Sequence, residues 1–200
     1  MFLVLKRFKS FSLVFFLCIY MKVFASYILI PMDVKSQSNH LKAYGITYWV
    51  LSQNQDVKWL LNYRGGAFLM PSSERIEREC LIRGVSYELI SDSKTASILE
   101  EISSPSKNMD AIVLEKAPKI AVYSPPNKQP WDDAVTLVLT YAEIPYETIY
   151  DTEIIEGKLS DYDWVHLHHE DFTGQYGKFY KTFQHMPWYR EEVRTNEELA

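Results

Sequence analysis

The chain has 200 residues, 47% of them hydrophobic and 14% aromatic, with a formal charge of −5 at neutral pH. That length and apolar content suffice for one or two packed units and exclude an intrinsically disordered chain. An acidic balance leaves no basic patch to replace phosphate counterions, so nucleic acid is excluded as a partner.

Residues 1–25 read as a leader. Lys6, Arg7 and Lys9 form a basic start, Phe11 to Tyr20 is an apolar run, and Val23-Phe24-Ala25 supplies small residues for cleavage. The run is too short to span about 30 Å of hydrocarbon and is followed by Lys22, so a cleaved secretory signal is expected in place of an anchor. The expected location is periplasmic or extracellular, with no transmembrane span after cleavage. Of 21 Lys and Arg, four lie in this leader, so 17 remain against 26 acids and the charge moves to about −9. Of the two cysteines, Cys18 lies in the leader and Cys80 stands alone after it, so no internal disulfide is possible.

Beyond the leader, strand and helix alternate. Tyr27 to Met32 is an apolar strand. Ser38 opens a helix with Leu41, Tyr44, Tyr48 and Leu51 on one stripe and Ile46, Trp49 and Val50 on another, which predicts burial on two sides. Val57 to Tyr63 reads as a strand, broken by Arg64-Gly65-Gly66, with Ala67 to Met70 extended after it. Ser72 or Ser73 caps a helix carrying Ile76, Cys80 and Leu81, stopped at Gly84. Val85 to Ile90 is a further strand, and Ile98, Leu99 and Ile102 mark a helix that ends before Ser103-Ser-Pro-Ser106.

The rhythm then restarts. Lys119 to Ser124 is a strand and Pro125 to Pro130 a rigid loop. A helix carries Val135, Val138, Leu139 and Ala142, and Tyr146 to Tyr150 and Trp164 to His168 are strands. The charged segment from Glu191 to Ala200 is helix-forming and lacks a stop signal, one sign of a chain that continues in a longer protein. Strands separated by helices imply parallel crossovers. The expected fold class is therefore α/β: an open, mostly parallel sheet with helices on both faces, in two successive βαβαβ-like units. The expected division is the leader over 1–25, a unit over 26–106, a linker over 107–118 and a second unit over 119–200.

Chemistry concentrates in one run. His166, His168 and His169 are followed directly by Glu170 and Asp171. In open α/β sheets ligands bind past the carboxyl ends of strands, where this cluster falls. Imidazole and carboxylate together suit zinc or a similar ion. The run is out of step with the His-x-His-x-Asp-His pattern of metallo-β-lactamase-like hydrolases, because position 172 is Phe, so no cofactor is assigned and these five stand as substrate or metal contacts. Arg64, Gly65 and Gly66 are a candidate anion contact, glycine permitting close backbone approach and arginine supplying a fork. They lack the spacing of a dinucleotide or phosphate loop. Trp59, Trp131, Trp164 and Trp188 could line a groove, although core packing is the simpler account of aromatics at strand and helix positions.

Four stretches carry a resemblance: Tyr27 to Met32, Asn39 to Gly45, Trp59 to Gly66, and Trp164 to Gln175. Together they resemble a family of exported bacterial proteins catalogued as asparagine synthetase B, with a fold similar to class I glutamine amidotransferases, which is flavodoxin-like. The resemblance covers nearly all of the chain after the leader. Members are about twice this length, which implies an N-terminal part. Asparagine synthetases use an N-terminal cysteine after the initiator Met and an ATP-pyrophosphatase loop of the Ser-Gly-Gly-x-Asp-Ser type. Here position 2 is Phe and no such loop occurs. Class I amidotransferases place their cysteine on a tight strand-to-helix turn. Cys80 sits mid-helix without an adjacent glycine, so the resemblance implies a nucleophile beyond residue 200. Two functions follow as expectations: a hydrolase of an amide or similar small substrate, or a non-catalytic module holding a small-molecule or envelope ligand. Oligomeric state is left open.

Overall fold

A computed structural model describes residues 26–124, 134–167 and 182–199. The chain is α/β. It holds a five-stranded sheet, a three-stranded sheet and helices packed against them.

The first sheet uses β1 (Tyr27–Ile30), β2 (Val57–Leu61), β3 (Ala67–Pro71), β4 (Glu88–Ile90) and β5 (Asp110–Leu114), in the order β4-β1-β3-β2-β5. Every pairing in it is antiparallel, so the expected mostly parallel sheet of two βαβαβ units is matched only in part, by the second sheet. The physical reason is a split crossover. Helix α1 (His40–Ser52) connects β1 to β2, and helix α2 (Glu74–Ile82) connects β3 to β4. Within each pair the two strands run the same way, but a strand of opposite direction lies between them. The first four strands with α1 and α2 therefore form a β-α-β-β-α-β arrangement. A tight hairpin makes this possible: between β2 and β3 the chain turns through Asn62, Arg64, Gly65 and Gly66, all at positive φ. β5 falls inside the segment expected to be a linker over 107–118, and pairs along all of β2.

Alternation along the strands gives the sheet two apolar faces. Ile28, Ile30, Phe68 and Met70 pack with Ile46, Val50, Ile76 and Cys80 from α1 and α2. Leu29, Leu60, Ala67 and Leu69 pack with Ile98 and Ile102 of helix α3 (Asp92–Ile102). The Ser73 and Ser91 hydroxyls cap α2 and α3, accepting from the Ile76 and Lys94 amides at 3.3 Å each.

The second sheet is parallel, in the order β7-β6-β8, from β6 (Ile120–Tyr123), β7 (Glu147–Ile149) and β8 (Trp164–Leu167). Helix α4 (Ala134–Ala142) links β6 to β7, and the short helix α5 (Asp151–Ile155) follows β7. Ile120, Val122 and Leu139 form its core, with Tyr48 of α1 packed against them. Helix α1 thus lies between the first sheet and α4, burying two sides. Glu143 fastens the contact, pairing with Lys42 at 2.6 Å and Arg83 at 3.3 Å. Helix α6 (Pro187–Leu199) exposes most of its surface, with Arg194 paired to Glu191 and Glu198. Among the described residues no helix is long and apolar enough to cross a membrane.

Candidate functional site

Strand order locates the crevice. From central β6 the chain passes to β7 on one side and then to β8 on the other, so the carboxyl ends of β6 and β8 flank a topological switch point. At the end of β6 stands Ser124, 3% exposed, whose amide donates to the Ile149 carbonyl at 3.0 Å. Its hydroxyl is buried with no hydrogen-bond partner among the described residues. A hydroxyl can both donate and accept, and leaving one buried and unpaired costs about 1–3 kcal/mol.

On the sheet face opposite Ile120 and Val122, the Tyr123 hydroxyl donates to Asp151 at 2.6 Å, and its ring lies 5.3 Å from that of Tyr150. The Tyr150 amide donates to Glu153 at 2.9 Å, and this bond holds the Glu153 carboxyl below its ordinary range. These contacts fix the start of α5 beside the ends of β6 and β7.

His166 is half-buried on β8, in register with Val122, and shares a face with Trp164, whose ring lies 6.3 Å away nearly edge-on. It stands near the carboxyl end of an edge strand of the parallel sheet. His168, His169, Glu170 and Asp171 lie outside the described residues. Among the described residues no group of three or more His, Cys, Asp or Glu side chains could hold a metal ion.

The Arg64 loop has its own geometry. The Arg64 guanidinium reaches Asp33 at 3.3 Å, Glu88 at 2.5 Å and the Ser36 hydroxyl at 2.9 Å. Bonding to Glu88 raises its pKa further, while the Ser36 hydroxyl holds Asp33 below the usual carboxylate range. The fork that would grip an anion already donates to two carboxylates and a hydroxyl, so an incoming anion would meet their negative charge. Gly65 and Gly66 serve the hairpin: a Cβ on Gly65 would lie 2.6 Å from the Met32 carbonyl, and one on Gly66 would lie 3.2 Å from the Trp59 indole nitrogen. The loop therefore welds the β2–β3 hairpin to the segment after β1 and to β4.

Cys80 is fully buried in α2 against the first sheet, and burial pushes its thiol up to about 12. It is a core residue and not a nucleophile. Ser124 escaped the reading of the sequence because nothing local distinguishes a strand-end serine. Only the parallel pairing on both sides of β6 gives its position meaning. No family model, curated protein or solved structure matches this chain.

Proposed function

We propose that this chain is an exported α/β protein whose second unit is amidotransferase-like and holds a small amide- or carboxylate-bearing ligand at the carboxyl ends of β6 and β8. The observation that carries the reading is the buried Ser124 hydroxyl, without a partner among the described residues, at the switch point of a parallel sheet. A ligand amide there would supply the missing partner, and His166 on the neighbouring strand, in register with Val122, is a candidate for a further polar contact. The residue-level resemblance to exported amidotransferase-like proteins supports the ligand class.

The test is calorimetric titration of the purified protein with glutamine and with asparagine, alongside a measurement of released ammonia. Saturable binding that weakens about tenfold or more in Ser124→Ala is the expected result, about one hydrogen bond's worth to a buried group. Absence of saturable binding to either amide sinks the proposal. A second reading, a non-catalytic binding module of the envelope, is favoured by the burial of Cys80 in the core, which leaves the described residues without a thiolate. Binding without ammonia release decides for that reading.

A further inference from the structure

Between the two sheets lies a solvent-open apolar groove of about 280 Å³, separate from the carboxyl-end crevice. Its floor comes from α1, with Tyr44, Tyr48 and Leu51 on the stripe that the helical period brings together. Trp59, Phe68 and Leu114 enter from the first sheet, and Ile120 and Trp164 from the second. Among the described residues no charged one belongs to the wall. Three of its polar handles are already tied to the backbone: the Tyr48 hydroxyl donates to Pro118 at 3.0 Å, the Trp59 indole to Gly66 at 3.1 Å, and the Thr47 hydroxyl to Ala43 at 3.0 Å. Tyr44 and Trp164 are 46% and 43% exposed, which opens the rim to solvent.

We propose that this groove is a binding site for an uncharged aromatic compound of one or two fused rings. Size sets the upper bound: an apolar cavity of about 150 Å³ accepts benzene, and pockets for larger ligands begin near 300 Å³. Chemistry disfavours the charged alternatives, since an ion would lose its hydration and find no charged partner among the described residues of this wall. The aromatic lining favours a ring over an acyl chain. Phe68 already stacks with Trp59 at 6.5 Å and meets Tyr44 edge-on at 5.6 Å, so a planar guest extends an existing set of face and edge contacts. A flexible chain would surrender rotamers on entry that a rigid ring does not have.

Indole is the probe, titrated into the full chain while methyl resonances are followed. Saturable shifts are expected at Leu51, Leu114, Ile120, Leu139 and Ile144, with Ile98 and Ile102 across the first sheet unmoved. Leu114→Trp, on an edge strand, fills the space and should weaken indole binding at least tenfold. If that variant does not fold, the methyl map of the unaltered protein decides alone. The proposal is overturned if indole gives no saturable shift at those methyls, if the shifts centre elsewhere, if folded Leu114→Trp keeps full affinity, or if decanoate binds more tightly than indole. Glutamine moving these methyls in place of indole would also overturn it, which keeps the outcome distinct from that of the carboxyl-end site.

Discussion

Gly45 of α1 lies directly against the backbone of Ala142 in α4: a Cβ on residue 45 would stand 1.8 Å from the Ala142 carbonyl oxygen. Only glycine lets the two helices approach so closely, and that approach joins the antiparallel sheet to the parallel one. In a free helix Gly→Ala stabilises by about 1 kcal/mol. Here the methyl must push α4 away, and overpacking of this kind costs about 1–3 kcal/mol. Gly45→Ala is therefore expected to lower stability in urea melts despite its better helix propensity, and a stabilised variant would refute the contact.

Two glycines with similar backbone angles should respond differently to alanine. Gly65 and Gly157 have φ of 77° and 79°, so both substitutions carry strain of about 1–2 kcal/mol. At Gly157 nothing lies within 4 Å of the added carbon, whereas at Gly65 it meets the Met32 and Asp33 backbone at 2.6 Å. Gly65→Ala should thus be the more damaging by about 1 kcal/mol or more. Equal losses in paired denaturation curves would show that the hairpin does not press on the segment after β1.

Cys80 should be inert. A thiol-reactive dye is expected to label it only after denaturation, and at the rate of global unfolding. Cys80→Ala should leave amide binding and any ammonia release unchanged while lowering stability by about 1 kcal/mol, the removal of one buried group. Labelling in the native state would contradict its place in the core.

Tyr162 donates to Glu147 at 2.6 Å, and that bond raises its hydroxyl to about 12 while lowering the Glu147 carboxyl. For Tyr162 the folded pKa exceeds the unfolded one, so its contribution is complete below about pH 10 and is lost as pH rises through about 12. For Glu147 the sign reverses, and the contribution present above the ordinary carboxylate range fades as pH falls below it. An ultraviolet titration should show the late-ionising tyrosine disappear in Tyr162→Phe and return toward 10 in Glu147→Gln. An unchanged curve in Glu147→Gln would rule the bond out.

The hydroxyl of Ser124, unpaired among the described residues, makes the opposite prediction to most buried polar groups. Ser124→Ala removes a desolvated group without orphaning a partner, so in the absence of ligand it should raise stability by up to about 1–3 kcal/mol. A thermal melt checks this, and a marked loss would reveal a protein partner for the hydroxyl.

The sequence by itself determined where most strands and helices lie, because period-two and helical spacings are local; β5 and the short α5 were not among them. Ile28 and Ile30 against Leu29, and the two apolar stripes of α1, could be read directly from spacing. It determined the density of imidazoles from His166 onward. Strand direction was decided only by tertiary structure. A strand-helix-strand run looks the same whether its strands are neighbours, as in β6 and β7, or are parted by an inserted antiparallel strand, as in β1 and β2. The hairpin at Asn62–Gly66 selects the second outcome, and the pairing of β5 with β2 extends it, both through hydrogen bonds that span the sheet and not the local chain. The switch point at Ser124 and the aromatic groove under Trp164 are likewise products of packing, since each exists only where residues distant in the chain are brought to one place.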